Sequence, residues 1–286
     1  MLKKGGTIKM GTNLSAILRE QAGKYGDRLA VEKRLNGKWQ GISWREYYES
    51  ARSAGLGLYS LGIRKGERVA LLSQNRIEWV VADMGTIGIG AVTIPIYTTL
   101  PAHEVGYIIG NSESKVFIAE DKTALQKGLD VLDDCPYLEK IIVIDTTDCD
   151  MSPDILMSFD ELKALGTALF EKDPGLFEKL TDVIERDDLA TFVYTSGTTG
   201  PPKGAMITHG NVLAVCEALD GMKWADDRDV LVAFLPLCHV FQRVAGHFFA
   251  MCVGIYTHYT ESFDTIVEDI QTKKPTILLA VPRVCE

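Results

Sequence analysis

Apolar positions along this chain fall into short runs, and the spacing inside each run names an element. Leu14, Ile17, Leu18 and Ala22 recur at helical spacing, and the pattern closes at Gly26. Residues 29–34 and 38–42 read as strands joined by Asn36-Gly37, a dipeptide suited to the left-handed turn of a tight hairpin. Ser43 is placed to cap the next helix, with Glu46 completing a reciprocal cap, and that helix runs to about Leu61-Gly62. From Arg68 the strand-like runs at 69–72, 92–94, 116–119 and 141–144 are continuously apolar and are separated by helical patterns at 77–87, 102–109 and 124–132. Strands apolar on both sides must be covered on both faces, so the alternation predicts an α/β fold with mainly parallel sheets in layered βαβ units.

The remainder follows the same rule with two interruptions. Residues 146–153 and 171–188 are polar and Asp-rich and read as loops or weak helices, the second being the nearest thing to a linker. Residues 189–194 read as a buried strand, followed by a helix at 211–219, a strand at 230–235, a helix at 241–252, a strand at 255–259, a helix at 263–273 and a strand at 276–281. Residues 1–12 read as a flexible leader.

Composition narrows the class. The chain has 286 residues, 46% hydrophobic and 24% charged, as ordinary soluble globular proteins do. A net charge of −9 opposes nucleic-acid binding as the main task, yet leaves room for one locally positive nucleotide cradle. The six cysteines show no C-x-x-C pairing and read as reduced thiols of a cytoplasmic protein. Lys3, Lys4 and Lys9 precede no apolar run, so no secretory signal is expected. Residues 79–97 are the most membrane-like stretch, but Asp83, the glycines and Pro95 suit a buried helix followed by a strand better than one spanning helix. Any membrane contact is expected to be peripheral, at the inner face.

The densest chemistry lies in Tyr194-Thr195-Ser196-Gly197-Thr198-Thr199-Gly200-Pro201-Pro202-Lys203-Gly204, leaving the strand at 189–194. Its glycines let the backbone approach a ligand closely, its hydroxyls and amides supply donors for a polyphosphate, and Lys203 adds a mobile positive charge. The Walker pattern G-x-x-x-x-G-K-[ST] fails, since Pro202 stands five places after Gly197 and Gly204 follows Lys203; G-x-G-x-x-G is absent too. His239, just past an apolar strand, is placed either at a ligand crevice or as a helix-start histidine satisfied by backbone. Adjacent Cys238 and His239 point opposite ways in a strand, which argues against a thiol nucleophile. The helix-spaced Phe241, Val244, Phe248, Phe249 and Met251 read first as core.

The loop resembles, at every position, the signature loop of the adenylate-forming enzymes, which include acyl-CoA synthetases and peptide-synthetase adenylation domains. Leu235-Pro236-Leu237-Cys238-His239-Val240-Phe241-Gln242-Arg243 and Val281-Pro282-Arg283-Val284-Cys285-Glu286 are similar to segments of long-chain fatty-acid CoA ligases. The resemblance implies an ATP-dependent fatty-acid CoA ligase, which makes an acyl-adenylate and then a thioester with CoA. It also implies part of a large N-terminal domain, with residues 65–220 forming one α/β subdomain and 13–64 plus 221–286 a second, interleaved one. Thr195, Ser196, Gly197, Thr198, Thr199, Gly200 and Lys203 would then cradle the β- and γ-phosphates between Tyr194 and Gly204, with Thr198 beside Mg2+ and Lys203 acting in catalysis. His239 would line the acyl carboxylate site and reorient between half-reactions. Arg243 and Arg283 would meet phosphate or carboxylate, or else form internal salt bridges; Gln242 stands where many such ligases carry Glu. An acyl tunnel would share the 241–252 helix, while His103, His247 and His258 would be structural or exposed. A C-terminal domain with a catalytic lysine is expected to be missing from residues 1–286, leaving them inactive alone. A homodimer stays open, as do an aryl- or amino-acid adenylation enzyme and a non-catalytic nucleotide-binding module.

Overall fold

The computed structural model describes residues 11–35, 37–195 and 201–281, and within them the alternation resolves into two sheets. Asn36 of the hairpin turn lies outside the described residues, as do residues 1–10, 196–200 and 282–286. Helix α1 (Leu14–Tyr25) starts at Asn13, whose side chain accepts the Ala16 N–H at 2.9 Å. Strands β1 (Leu29–Leu35) and β2 (Lys38–Ser43) pair antiparallel, and α2 (Trp44–Ser60) begins with the expected Ser43–Glu46 capping box.

The βαβ run comes next: β3 (Arg68–Leu72), α3 (Ile77–Gly88), β4 (Val92–Ile96), α4 (Ala102–Asn111), β5 (Val116–Ala119), α5 (Lys122–Leu129) and β6 (Lys140–Val143). Then β7 (Leu156–Ser158), α6 (Phe159–Lys172), α7 (Leu176–Asp182), β8 (Leu189–Thr195), β9 (Lys203–Thr208) and α8 (His209–Gly221) follow. These strands form a seven-stranded sheet in the order β7-β6-β5-β3-β4-β8-β9, parallel except for the β8–β9 edge. Strand β10 (Val230–Ala233), a π-helical segment Gln242–Phe248 continued by α9 (Phe249–Val253), β11 (Tyr256–Tyr259), α10 (Ile266–Lys273) and β12 (Ile277–Leu278) complete the described chain. Their strands join the first hairpin in a five-stranded sheet, β12-β10-β11-β1-β2.

Successive side chains on a strand face opposite ways, and the core follows that rule. Val69, Leu71, Val116 and Ile118 pack with α2, α3 and α6 in one large core, which extends to Leu231, Ala233 and Tyr259 of the second sheet. Ala70, Leu72, Phe117 and Ala119 face the other way, into a core covered by α4 and α5. Helix α2 is gripped on two sides through glycines. A Cβ on Gly57 would lie 2.2 Å from the Leu162 carbonyl oxygen of α6, and one on Gly55 would lie 2.5 Å from that of Gly85 in α3.

Five elements depart from the expected reading. Strand β9 was not expected, and β7 and α6 fall in a stretch to which no element was assigned. The strand expected at 230–235 ends at Ala233, and the expected 241–252 helix opens with a π-helical turn. The 171–188 stretch holds α7, and 79–97 is the buried helix and strand foreseen.

His209, the first residue of α8, is fully buried, and its Nδ1 accepts the Leu14 N–H at 3.2 Å, tying α8 to the start of α1. Burial holds its pKa down at about 4, against an ordinary 6.5. The unfolded chain therefore takes up this proton first, so stability is intact above about pH 6.5 and falls as pH drops towards 4, at about 1.4 kcal/mol per unit of difference. Urea melts between pH 7 and 4 are expected to show that slope and its flattening in His209→Gln. His247, held at about 3 mainly by burial, supplies a residual slope of the same sign.

Candidate functional site

The Gly/Thr-rich loop connects an antiparallel hairpin. Tyr194 on β8 pairs with Gly204 on β9, and Thr195 with Lys203, so Thr195 and Lys203 form the last rung of the hairpin. Gly204 suits this close pairing: a Cβ there would lie 3.1 Å from the Tyr194 ring, which would have to shift by a few tenths of an ångström. Helix α4 secures both legs, because the Tyr194 hydroxyl donates to Asn111 Oδ1 at 2.7 Å and the Tyr107 hydroxyl donates to the Pro202 carbonyl at 3.1 Å. Burial pushes the Tyr194 phenol up to about 12, so it remains a neutral donor at physiological pH. Strand β8 joins the parallel sheet beside β4, where the Thr191 hydroxyl donates to the Thr93 carbonyl at 2.7 Å.

A cavity of about 320 Å³ opens at the carboxyl ends of β4 and β8, where ligand crevices form in open parallel sheets. Its walls come from Pro95 and Tyr97 after β4, Glu104 and Ile108 of α4, Tyr194, Thr195 and Pro202 of the hairpin, and His239 with Val240. His239 is exposed, and its Nδ1 accepts the Phe241 N–H at 3.2 Å, so it both faces the cavity and satisfies a helix start. The two readings of this histidine are therefore compatible. Neighbouring Cys238 is buried, and desolvation pushes its thiol up to about 12, which leaves it protonated and unsuited to attack. The five described cysteines are free thiols.

Tyr194, Thr195 and His239 are thus brought to one cavity, while Lys203 is exposed on β9 opposite Thr195. Ser196, Gly197, Thr198, Thr199, Gly200 and Arg283 lie outside the described residues. Arg243 takes the internal salt-bridge alternative. It is fully buried, bonded to Asp83 of α3 and the Thr191 hydroxyl, and its guanidinium lies 5.4 Å from the Trp79 ring centroid. Gln242 is fully buried beside it, so a glutamate there would carry a charge into the interior. His247 and His258 are buried and His103 is exposed, and no group of His, Cys, Asp or Glu among the described residues is arranged to hold a metal.

A second, apolar groove of about 420 Å³ adjoins the first cavity through Val240, a wall of both. Ile207 of β9, Val212 and Val215 of α8, and Phe241 and Val244 line it. The expected core cluster is therefore divided, with Phe241 and Val244 on the groove and Phe248, Phe249 and Met251 in the core. Among the described residues, no helix is long and apolar enough to cross a membrane.

Sequence reasoning missed the β4 and α4 walls, since Pro95, Tyr97, Glu104 and Ile108 form no motif. The rule that sites gather at parallel strand ends was the signal available.

Residues 18–286 match the family model described as AMP-binding enzyme. The long-chain-fatty-acid–CoA ligase ACSBG2 of Xenopus laevis is 29% identical over 277 residues, covering 94% of this chain and 37% of that protein. The long-chain-fatty-acid–CoA ligase FadD15 of Mycobacterium bovis is 30% identical, covering 98% and 45%. The chain thus spans less than half the length of these relatives. The N-terminal domain of FACL13 from Mycobacterium tuberculosis, solved with an inhibitor, superposes with a TM-score of 0.77 at 24% identity, covering 96% of this chain and 67% of that one. At that identity the likeness is one of fold.

Proposed function

Because the chain belongs to the AMP-binding enzyme family, we propose that it carries the nucleotide- and acid-binding part of a long-chain acyl-CoA ligase. A carboxylate is a poor electrophile, since its charge repels nucleophiles and its oxygen is a poor leaving group. Attack of the carboxylate on the α-phosphate of ATP releases pyrophosphate and gives a mixed anhydride. The thiol of CoA then displaces AMP from the acyl carbon. The enzyme's task is to neutralise the triphosphate and to hold the acid in line.

The observation that carries the reading is the wall shared at Val240 between a cavity lined in part by Thr195 and His239 and an apolar groove. An acid with a polar head and a long apolar tail fits that pair: its carboxylate at His239 and Thr195, its tail along Phe241, Val244 and Val215. The connection between Thr195 and Lys203 would take the phosphates, with Lys203 approaching from the β9 leg. Mg2+ would neutralise phosphate charge, with Thr198 its expected neighbour. The described residues supply no donor set for it, so no step is drawn through the metal.

An aryl acid is the second reading, favoured by Tyr97 and Tyr194 in the wall of the first cavity. A protein that includes this chain is expected to form AMP from ATP and CoA in the presence of hexadecanoate; faster AMP formation with benzoate than with hexadecanoate would assign the aryl class instead. The share of the relatives' length that the chain spans supports one further point: residues 1–286 alone would not turn over. Sustained AMP release by the isolated chain would overturn that point.

A further inference from the structure

The His239 ring accepts the Phe241 N–H, but the backbone that leads into it is held from elsewhere. It lies in the connection between β10 and the π-helical segment, and that connection includes Pro236, which has no N–H to give to a neighbouring strand. The backbone on either side of Pro236 is instead gripped by one side chain from the other sheet. Asn75, in the connection between β3 and α3, donates from Nδ2 to the Leu235 carbonyl at 2.8 Å and accepts the Leu237 N–H on Oδ1 at 2.8 Å. A side-chain amide used this way copies the donor and acceptor of a partner strand at a single rung. Asn75 is buried, and its own carbonyl accepts a bond at 2.5 Å from the buried Lys33 ammonium of β1. From Leu237 the chain turns tightly, with the His239 N–H on the Pro236 carbonyl at 2.9 Å and the Arg243 N–H on the His239 carbonyl at 2.9 Å. The last fixed point before His239 is therefore the Asn75 amide.

We propose that Asn75 is a positioning residue for His239, setting where the imidazole stands against the β8–β9 hairpin across the cavity. The kinetic half of the test rests on the ligase reading; the exchange half does not. In a protein that includes this chain, Asn75→Ala is expected to lower kcat for acid-dependent AMP formation at least tenfold with KM for ATP little changed. Asn75→Asp, which keeps the acceptor for Leu237 but loses the donor to Leu235, is expected to fall between the two. The discriminating measurement is a double-mutant cycle: in a His239→Ala background, Asn75→Ala should cost no further activity, because both changes remove one function. A general structural role would make the two losses multiply, and that result overturns the proposal. Amide exchange in the peptide spanning 235–241 should rise at least tenfold in Asn75→Ala while peptides of α5 and β6 keep their protection; unchanged exchange there overturns it as well. If the unsubstituted protein forms no acyl-dependent AMP, the ligase reading fails, and the exchange measurement still decides the role of Asn75.

Discussion

Arg243→Met is expected to lower folding stability by about 3–5 kcal/mol, because it leaves a buried carboxylate with no compensating charge. Asp83 and Arg243 are both fully buried and bonded to each other, and the guanidinium also donates to Thr191 between the Trp79 and Phe248 rings. Burial pushes the Asp83 carboxyl up and the Arg243 guanidinium down, and in each case the partner's charge opposes the shift. Removing one member discards the opposition and keeps the desolvation. Replacing both, as Asp83→Leu with Arg243→Met, is expected to cost less than either change alone, since two apolar side chains need no partner. Denaturant melts of the three variants check this. A loss below about 1 kcal/mol in Arg243→Met would show the pair to be hydrated and incidental.

The second large effect is expected at Gly166 of α6. A Cβ there would stand 1.8 Å from the Ser53 carbonyl oxygen of α2, and the opposing Gly57 meets the Leu162 carbonyl in the same crossing. These obstacles are backbone, so no side-chain rotation relieves them, and the helices must separate along their contact. Gly166→Ala is expected to cost about 3 kcal/mol, the upper end of the usual overpacking range. Gly23 of α1 is the control, since a Cβ added there would meet nothing within 4 Å. Gly23→Ala is expected to stabilise by about 0.4–1 kcal/mol through the unfolded chain. Thermal melts of both variants test the pair, and equal effects would refute the close crossing.

Elements were legible where a local signal was strong. Ser43 with Glu46 marked the start of α2, and continuous apolar runs marked β3, β5 and β6 as covered on both faces. Ser158 with Glu161 carries the same capping signal before α6, but it lies in the stretch between the two Asp-rich segments to which no element was assigned. Strand β9 gave no signal, because an edge strand with Lys203, Ala205 and Met206 exposed shows no alternation. The stretch from Tyr194 to Gly204 stood out as one run, and of it Tyr194, Thr195 and Pro202 line the cavity. The fate of Arg243 was not, since it is decided by Asp83, distant in sequence. Asp83, the one acid in the membrane-like stretch 79–97, was the clue that an interior cation would be needed.

The pairing of β1 has a consequence during synthesis. Val31 lies beside Thr257, so one side of the first hairpin waits for a partner more than two hundred residues later. At ordinary elongation rates that wait is roughly 10–45 s. Throughout it the nascent hairpin presents unsatisfied amides and carbonyls, a template for other chains. Truncation between Gly221 and Tyr256 would make that temporary hazard permanent, so such pieces are expected to aggregate on expression, read as pelleted protein in a lysate, even though every helix of the seven-stranded half is already encoded.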